Sequence, residues 1–418
     1  MPVATSRRLS PDDIMINFKF SIFWTNLKFN LKSGQEKYVS KRNREKLIEY
    51  NRNFPIVSVT GPRQSGKTTL CKMVFPGYEY MNLEDEESRD IVKQDIKGFL
   101  RKYGKGLVID EVHRLPEIFS ALQIVADEDD SRRYVISGSS NWLMMENISQ
   151  SLAGRVAFLR LLPLSLKEIG VNHGTNELLH KGFYPAIWGK DRPVSAVYDS
   201  YFSTYIQRDV RQIINIKDMD LFRKFVRLCA TRVGSEFIAS SLASEVGVSV
   251  KTIQGWLSVL ETSYIVYLLP PFYRNIGKRL VKSPKLYFCD VGLACYLLGL
   301  KSENDVSNSP LRGALFENLV IMEFVKNFYN KGLEPPAYFY RDKSQHEIDL
   351  LLDEGGLSAY EIKSATAFNS DFVKNLNYLD KVIEGGLKSR QVIYDGEKDW
   401  DKPDNGFMNF RDLKFFSF

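Results

Sequence analysis

Gly61, Gly66, Lys67 and Thr68 stand at the spacing G-x-x-x-x-G-K-[ST], a pattern that wraps a polyphosphate. Glycines let backbone N–H groups turn inward. A helix beginning near Lys67 would aim its positive end, about half an elementary charge, at the same point. The run Gly61, Pro62, Arg63, Gln64, Ser65, Gly66, Lys67, Thr68 and Thr69 is therefore the candidate nucleotide cradle. Within it Lys67 reaches the β- and γ-phosphates, and the Thr68 hydroxyl is a ligand for Mg2+. A glycine-rich turn that matches by chance is the bland alternative. The β-branched run before it and the helix-forming run after it argue against that. Residues 107–109 are a second apolar strand, delivering Asp110 and Glu111 at its carboxyl end, where ligands sit in open parallel sheets. Asp110 suits the holding of Mg2+ and Glu111 the polarising of an attacking water. A third apolar strand, within residues 133–140, ends in hydroxyls. Ser139 and Asn141 are its candidates for contact with the γ-phosphate or that water, and a plain strand-to-helix turn is the alternative.

A second set of chemically capable residues lies late in the chain. Glu317 falls on an amphipathic helix, Asp349 on one arm of a hairpin (346–353), and Glu361 and Lys363 on the other (357–363). Residues two apart in a strand face the same side, so Glu361 and Lys363 act together. Asp349 and Glu361 on neighbouring strands can share Mg2+ with Glu317 close by. Lys363 would then orient or deprotonate a water.

These residues need scaffolds, and 418 residues exceed what one core usually serves. The composition, 44% hydrophobic and 26% charged, is that of an ordinary soluble globular protein. No apolar stretch is long enough to span a bilayer and no secretory leader is visible, which points to the cytoplasm. Cys71, Cys229, Cys289 and Cys295 lack paired metal-site spacing and read as reduced, buried thiols. The net charge of +6 is local: residues 1–52 carry 11 Lys and Arg against 5 Asp and Glu, which leaves the rest balanced. Global charge thus says nothing about nucleic acid. Residues 1–37 read as a strand on the core, as a basic arm, or as sequence upstream of a start at Met15.

The stretch SSLASEVGVSVKTIQGWLSVLE, from Ser240, reads as a helix, a short turn at Val246–Ser249 and a second helix, with Gly247 in the turn and an apolar beat of Val250, Ile253, Trp256, Leu257 and Leu260. Strands at 264–269 and 285–289 would add a wing. No acid occurs between Glu261 and Asp290, whereas Arg274, Lys278, Arg279, Lys282 and Lys285 do, a patch suited to DNA phosphates. Lys251 and Gln254 would face a groove. Packing against a protein or a neighbouring domain is the alternative.

The order of P-loop, Asp-Glu strand, polar-tipped strand and an arginine after SLAG resembles the AAA+ ATPases. The wording GPRQSGKTTL, VIDEVHRLPEIFSALQ, SGSSN, SLAGR and LPLSLKEIG is similar to a prokaryotic AAA-type family that ends in a C-terminal domain of unknown function. The resemblance implies an α/β chain with an ATPase core at 38–165, a helical lid at 166–215 and a last domain at 301–418; the helix-turn-helix pattern adds a winged helix at 216–300. Residues 1–37 fall outside it. It implies ATP with Mg2+ as cofactors, and Arg155 as an arginine finger offered in trans within a homo-oligomer. An arginine paired with a local acid is the competing account of Arg155. Arg208 becomes a candidate lid sensor. The E…D…E-x-K set resembles restriction-endonuclease-like (PD-(D/E)xK) folds, some of which bind without cutting. Two functions follow: an ATPase coupled to a DNA-binding winged helix and a nuclease-like domain, or a nucleotide-switched module that recognises a partner without cleavage.

Overall fold

The strands of the front half alternate their apolar side chains, and that alternation builds a sheet with two buried faces. In a computed structural model that describes residues 41–139, 152–190, 192–206, 218–272, 283–367, 369–396 and 406–412, five strands lie in the order β2-β3-β4-β1-β5. They are β1 (Ile56–Gly61), β2 (Glu79–Asn82), β3 (Leu107–Asp110), β4 (Tyr134–Ser139) and β5 (Val156–Arg160). Every pairing is parallel. Ile56, Leu107, Ile109 and Ile136 face one layer with Ile118 and Leu122 of helix α2 (Glu117–Glu128). Val57, Val59, Val108 and Val135 face the other, where helix α1 (Lys67–Val74) contributes Leu70, Cys71 and Val74. The four cysteines are buried and free. This strand order brings the carboxyl ends of β1, β3 and β4 side by side, with β1 and β3 both bordering β4.

After β5 come short helices, Leu166–Ile169, Thr175–Lys181, Pro185–Lys190 and Val194–Ser200, continued by a π-type turn at Tyr201–Ile206. Gly182, at φ 62°, lets this segment close on the next one: a Cβ there would meet Tyr198 Oη at 2.2 Å and Asp290 Oδ1 at 2.4 Å. Helices α3 (Met219–Ala230), α4 (Ala239–Val246) and α5 (Val250–Thr262) follow. Gly247 ends α4 in the left-handed region, and Ser249 caps α5 by accepting from Thr252 N. The expected strand pair is present as β6 (Val266–Leu269) and β7 (Lys285–Phe288), antiparallel.

Helix α6 (Arg312–Asn330) leads into a second five-stranded sheet, ordered β12-β11-β10-β9-β8. It comprises β8 (Ala337–Arg341), β9 (Glu347–Asp353), β10 (Leu357–Lys363), β11 (Ser389–Tyr394) and β12 (Gly406–Asn409). The first three form an antiparallel meander. Helix α7 (Lys374–Val382) then crosses to β11, which lies parallel to β10. Buried side chains from Leu162 to Phe410 make one continuous cluster, so the short helices, the helix-turn-helix and the last sheet share a core. No helix among the described residues is long and apolar enough to cross a membrane.

Candidate functional site

The phosphate loop begins where β1 ends. Gly61 has φ 149°, and a Cβ on it would lie 2.1 Å from Leu161 O, so no side chain fits. Gln64 (φ 58°) and Gly66 (φ 101°) turn the backbone before α1 starts at Lys67. The Lys67 ammonium is buried and donates to Gly61 O at 2.9 Å and Pro62 O at 2.8 Å. Burial lowers its pKa to about 8, against the pull of Glu111 and Asp110. Those carbonyl bonds keep the ammonium at the mouth of the loop, where a phosphate would replace them.

Asp110 collects the donors around it. Its Oδ2 accepts from Thr68 Oγ1 at 2.6 Å and Tyr80 Oη at 2.8 Å, and its Oδ1 from Ser137 Oγ at 2.5 Å and Glu111 N at 3.1 Å. Burial by itself would raise this carboxyl. The hydroxyl bonds from Ser137, Thr68 and Tyr80 outweigh it and hold the pKa below the usual range. Glu111 sits at φ 52°, a left-handed conformation that a non-glycine residue adopts only under constraint. Its Oε2 is buried without a hydrogen bond, 3.3 Å from His113 Nδ1, and burial pushes its carboxyl up.

A cavity of about 480 Å3 joins these groups and is lined by Arg63, Gln64, Gly66, Lys67, Thr68, Thr69 and Glu111, with Pro185, Ala186 and Arg192 opposite. Ser65 Oγ, buried in the loop, also lacks a hydrogen-bond partner. Orphaned oxygens on Ser65 and Glu111, beside a lysine satisfied only by its own loop, fit a site shaped for a phosphate chain and its Mg2+.

Four more sequence candidates remain to be placed. Ser139 lies on β4 level with Gly61, whereas the hydroxyl that reaches Asp110 belongs to Ser137, two residues earlier. Asn141 and Arg208 lie outside the described residues. Arg155 forms a two-pronged pair with Asp127 of α2, at 2.5 Å from Nε and 2.8 Å from Nη2, and gives Nη1 to Ala153 O. Within one chain it therefore serves a local acid.

The late set does converge. Lys363 Nζ lies 2.6 Å from Glu361 Oε1 and 3.5 Å from Asp349 Oδ2, and the same Oδ2 accepts from Ile362 N at 2.8 Å. Glu317 Oε1 accepts from Tyr287 Oη at 2.5 Å and from Lys285 Nζ at 3.1 Å. Lys285, expected on a DNA-facing patch, is instead buried: strand alternation points it with Tyr287 into this cluster. Arg274, Lys278, Arg279 and Lys282 lie outside the described residues. Burial and the nearby Asp349 push Glu361 up to about 8 and Glu317 up to about 7. Among the described residues no group of three or more His, Cys, Asp or Glu is arranged to hold a metal ion.

Comparison with known proteins finds three family matches along the chain. An AAA domain matches residues 53–170, and domains of unknown function match residues 172–304 (DUF8612) and 312–413 (DUF4143). Uncharacterized proteins of Mycobacterium tuberculosis and Mycobacterium bovis are each 31% identical over 350 residues, covering 82% of this chain and 77% of theirs. This chain belongs to their family. It is an ATPase of the AAA type with a parallel-sheet P-loop core. A Walker-type ATPase of Pyrococcus abyssi superposes with a TM-score of 0.45 at 12% identity, over 62% of this chain and 95% of its own. In this AAA domain Tyr80 and Ser137 escaped the sequence reading because nothing along the chain marks them. A serine inside an apolar strand was the one available signal. Arg192 was equally silent, an arginine in a loop that only the fold brings to the cavity.

Proposed function

We propose that the protein binds ATP with Mg2+ and hydrolyses it. The observation that carries this reading is the buried Asp110, held by Thr68, Tyr80 and Ser137 beside Lys67 and Glu111. When bound, Mg2+ would withdraw charge from the β- and γ-phosphate oxygens. Thr68 and Asp110 would hold it. Lys67 exchanges its loop carbonyls for phosphate oxygens, and the backbone amides of residues 61–69 wrap the chain. Glu111, raised by burial and orphaned at Oε2, accepts a hydrogen bond from the attacking water and orients it. Arg192 faces the cavity from the segment behind the core and supplies positive charge in cis. Arg155 would act on a neighbouring subunit's nucleotide only after leaving Asp127.

The nucleotide's effect would travel to the rear of the molecule. Thr60, adjacent to Gly61, shares a hydrogen bond of 3.2 Å with Tyr264 at the end of the helix-turn-helix, and Arg160 of β5 pairs with Glu334 just after α6. Lys251 and Gln254 are exposed on α5, which supports a DNA-facing role for that helix. The helix, three-strand meander, helix and parallel strand of the last domain, with Asp349, Glu361 and Lys363 converging, support a nuclease-like fold. The second reading is a nucleotide-switched recognition module that does not cut. The buried Lys285 ammonium among the acids favours it.

ATP turnover measured against protein concentration tests the core assignment. Lys67→Ala abolishes turnover, and retained hydrolysis would remove the assignment. A steep rise in specific rate with concentration, lost in Arg155→Ala, supports a shared site. A plasmid incubated with Mn2+ and ATP separates the two rear-domain readings: cleavage that vanishes in Asp349→Ala marks the nuclease.

A further inference from the structure

The charged cluster of the last domain is not closed by that domain alone. Lys285 enters it from β7, and its Nζ lies 2.5 Å from Glu347, 3.1 Å from Glu317 and 3.9 Å from Asp349, with its side chain only 3% exposed. Tyr287, two residues along the same strand, donates to the same Glu317 oxygen. Gly234, whose N–H bonds Leu286 O, covers the cluster from above, so that a Cβ on it would lie 3.6 Å from Glu317 Oε2. At the rim Arg341 bridges Glu236 of the same segment, at 3.3 Å, to Glu347 of β9, at 3.6 Å. The helix-turn-helix segment thus docks on the last sheet through one strand and one loop, and its buried cation is shared among three carboxylates.

On the other side of the cluster, Glu361 is 5% exposed and its Oε2 has no hydrogen-bond partner among the described residues. A buried carboxylate oxygen without a donor is costly and marks a place for a cation. The acids are chemically fit for a divalent ion, yet they are not arranged to hold one. An ammonium already sits among them, and a divalent ion placed beside it would meet like charge at close range.

We propose that Lys285 is a built-in cation that fills the carboxylate cluster and excludes divalent metal while the helix-turn-helix segment is docked. The inference rests on reading the last domain as a metal-dependent, nuclease-like fold. β7 is buried along its whole length and shares the core of the last sheet, so the ammonium stays in place.

The test uses the full-length, nucleotide-free protein and Mn2+ alone, with free Mn2+ followed by electron paramagnetic resonance. Lys285→Met should gain one Mn2+ site at least tenfold tighter than any in the wild type, and Lys285→Met combined with Asp349→Asn should lose it. Equal Asp349-dependent binding by wild type and Lys285→Met overturns the exclusion and leaves the metal reading standing. Absence of an Asp349-dependent site in both overturns the exclusion and the metal reading together. Should Lys285→Met fail to fold, the wild type decides: Mn2+ binding that is lost in Asp349→Asn overturns the proposal, and its absence supports it.

Discussion

ATP binding at pH 8.5 should draw a proton from solution, and the source of the effect is Lys67. Burial within the loop lowers this ammonium to about 8. At pH 8.5 about a quarter of the molecules then carry the charge. A triphosphate brings several negative charges within contact distance and restores the ordinary lysine range, above about 10. Binding at that pH should therefore take up about three quarters of a proton per site. The sign follows from linkage: the complex binds more protons than the free protein, so affinity falls as pH rises above 8. The loss approaches about tenfold per unit until the bound lysine itself titrates. For folding, the depressed lysine is a penalty fully present below pH 8 and relieved between 8 and 10.5, its ordinary value. Isothermal titration in two buffers of different ionisation enthalpy, matched at pH 8.5, reads the proton number directly. Repeating it at pH 7, where Lys67 is already charged, should give an uptake near zero from this residue. Tight binding at pH 8.5 with no proton exchange would refute the placement of Lys67 as a desolvated ammonium awaiting phosphate.

Ser137→Ala removes one hydroxyl from Asp110, a bond to a charged group worth about 1.5–3 kcal/mol, so kcat/KM for ATP should fall by about tenfold or more. Because the depressed Asp110 carboxyl contributes only above its folded pKa, the acid limb of the rate profile should also move to higher pH; an unmoved limb counts against this role. Glu323 and Lys326, 2.8 Å apart and buried, tie α6 to Leu166 N and Leu164 O. Lys326→Met should cost about 3–5 kcal/mol in urea unfolding, and adding Glu323→Gln should cost much less than the sum, whereas simple additivity would deny the coupling.

The front site was largely readable before any coordinates because its cradle is nine consecutive residues. There the backbone turns, the glycines and the helix start are local properties of the chain. The Asp-Glu step after an apolar strand was readable for the same reason. The hydroxyl facing Asp110 was not, since Ile109 pairs with Ile136 and that register decides which serine of β4 is level with the acid. Register between parallel strands is set by packing of the helices that join them. Arg155 illustrates the opposite case: its position was clear, but its partner, 28 residues earlier on α2, depended on how the helix lies against β5.

What the chain determined unaided is which chemically capable groups stand together along it: the G-x-x-x-x-G-K-T loop, the Asp110-Glu111 step at the end of β3, and Glu361 and Lys363 two apart on β10. What only the tertiary structure decided is which remote groups complete each site. Lys285 is the clearest instance. As a letter in a basic, acid-free run it belonged to a solvent-facing patch. As a residue of β7 it is turned inward by strand alternation and buried among Glu317, Glu347 and Asp349. Charge read along a sequence counts residues, whereas electrostatics depends on burial and distance, and both are set by packing.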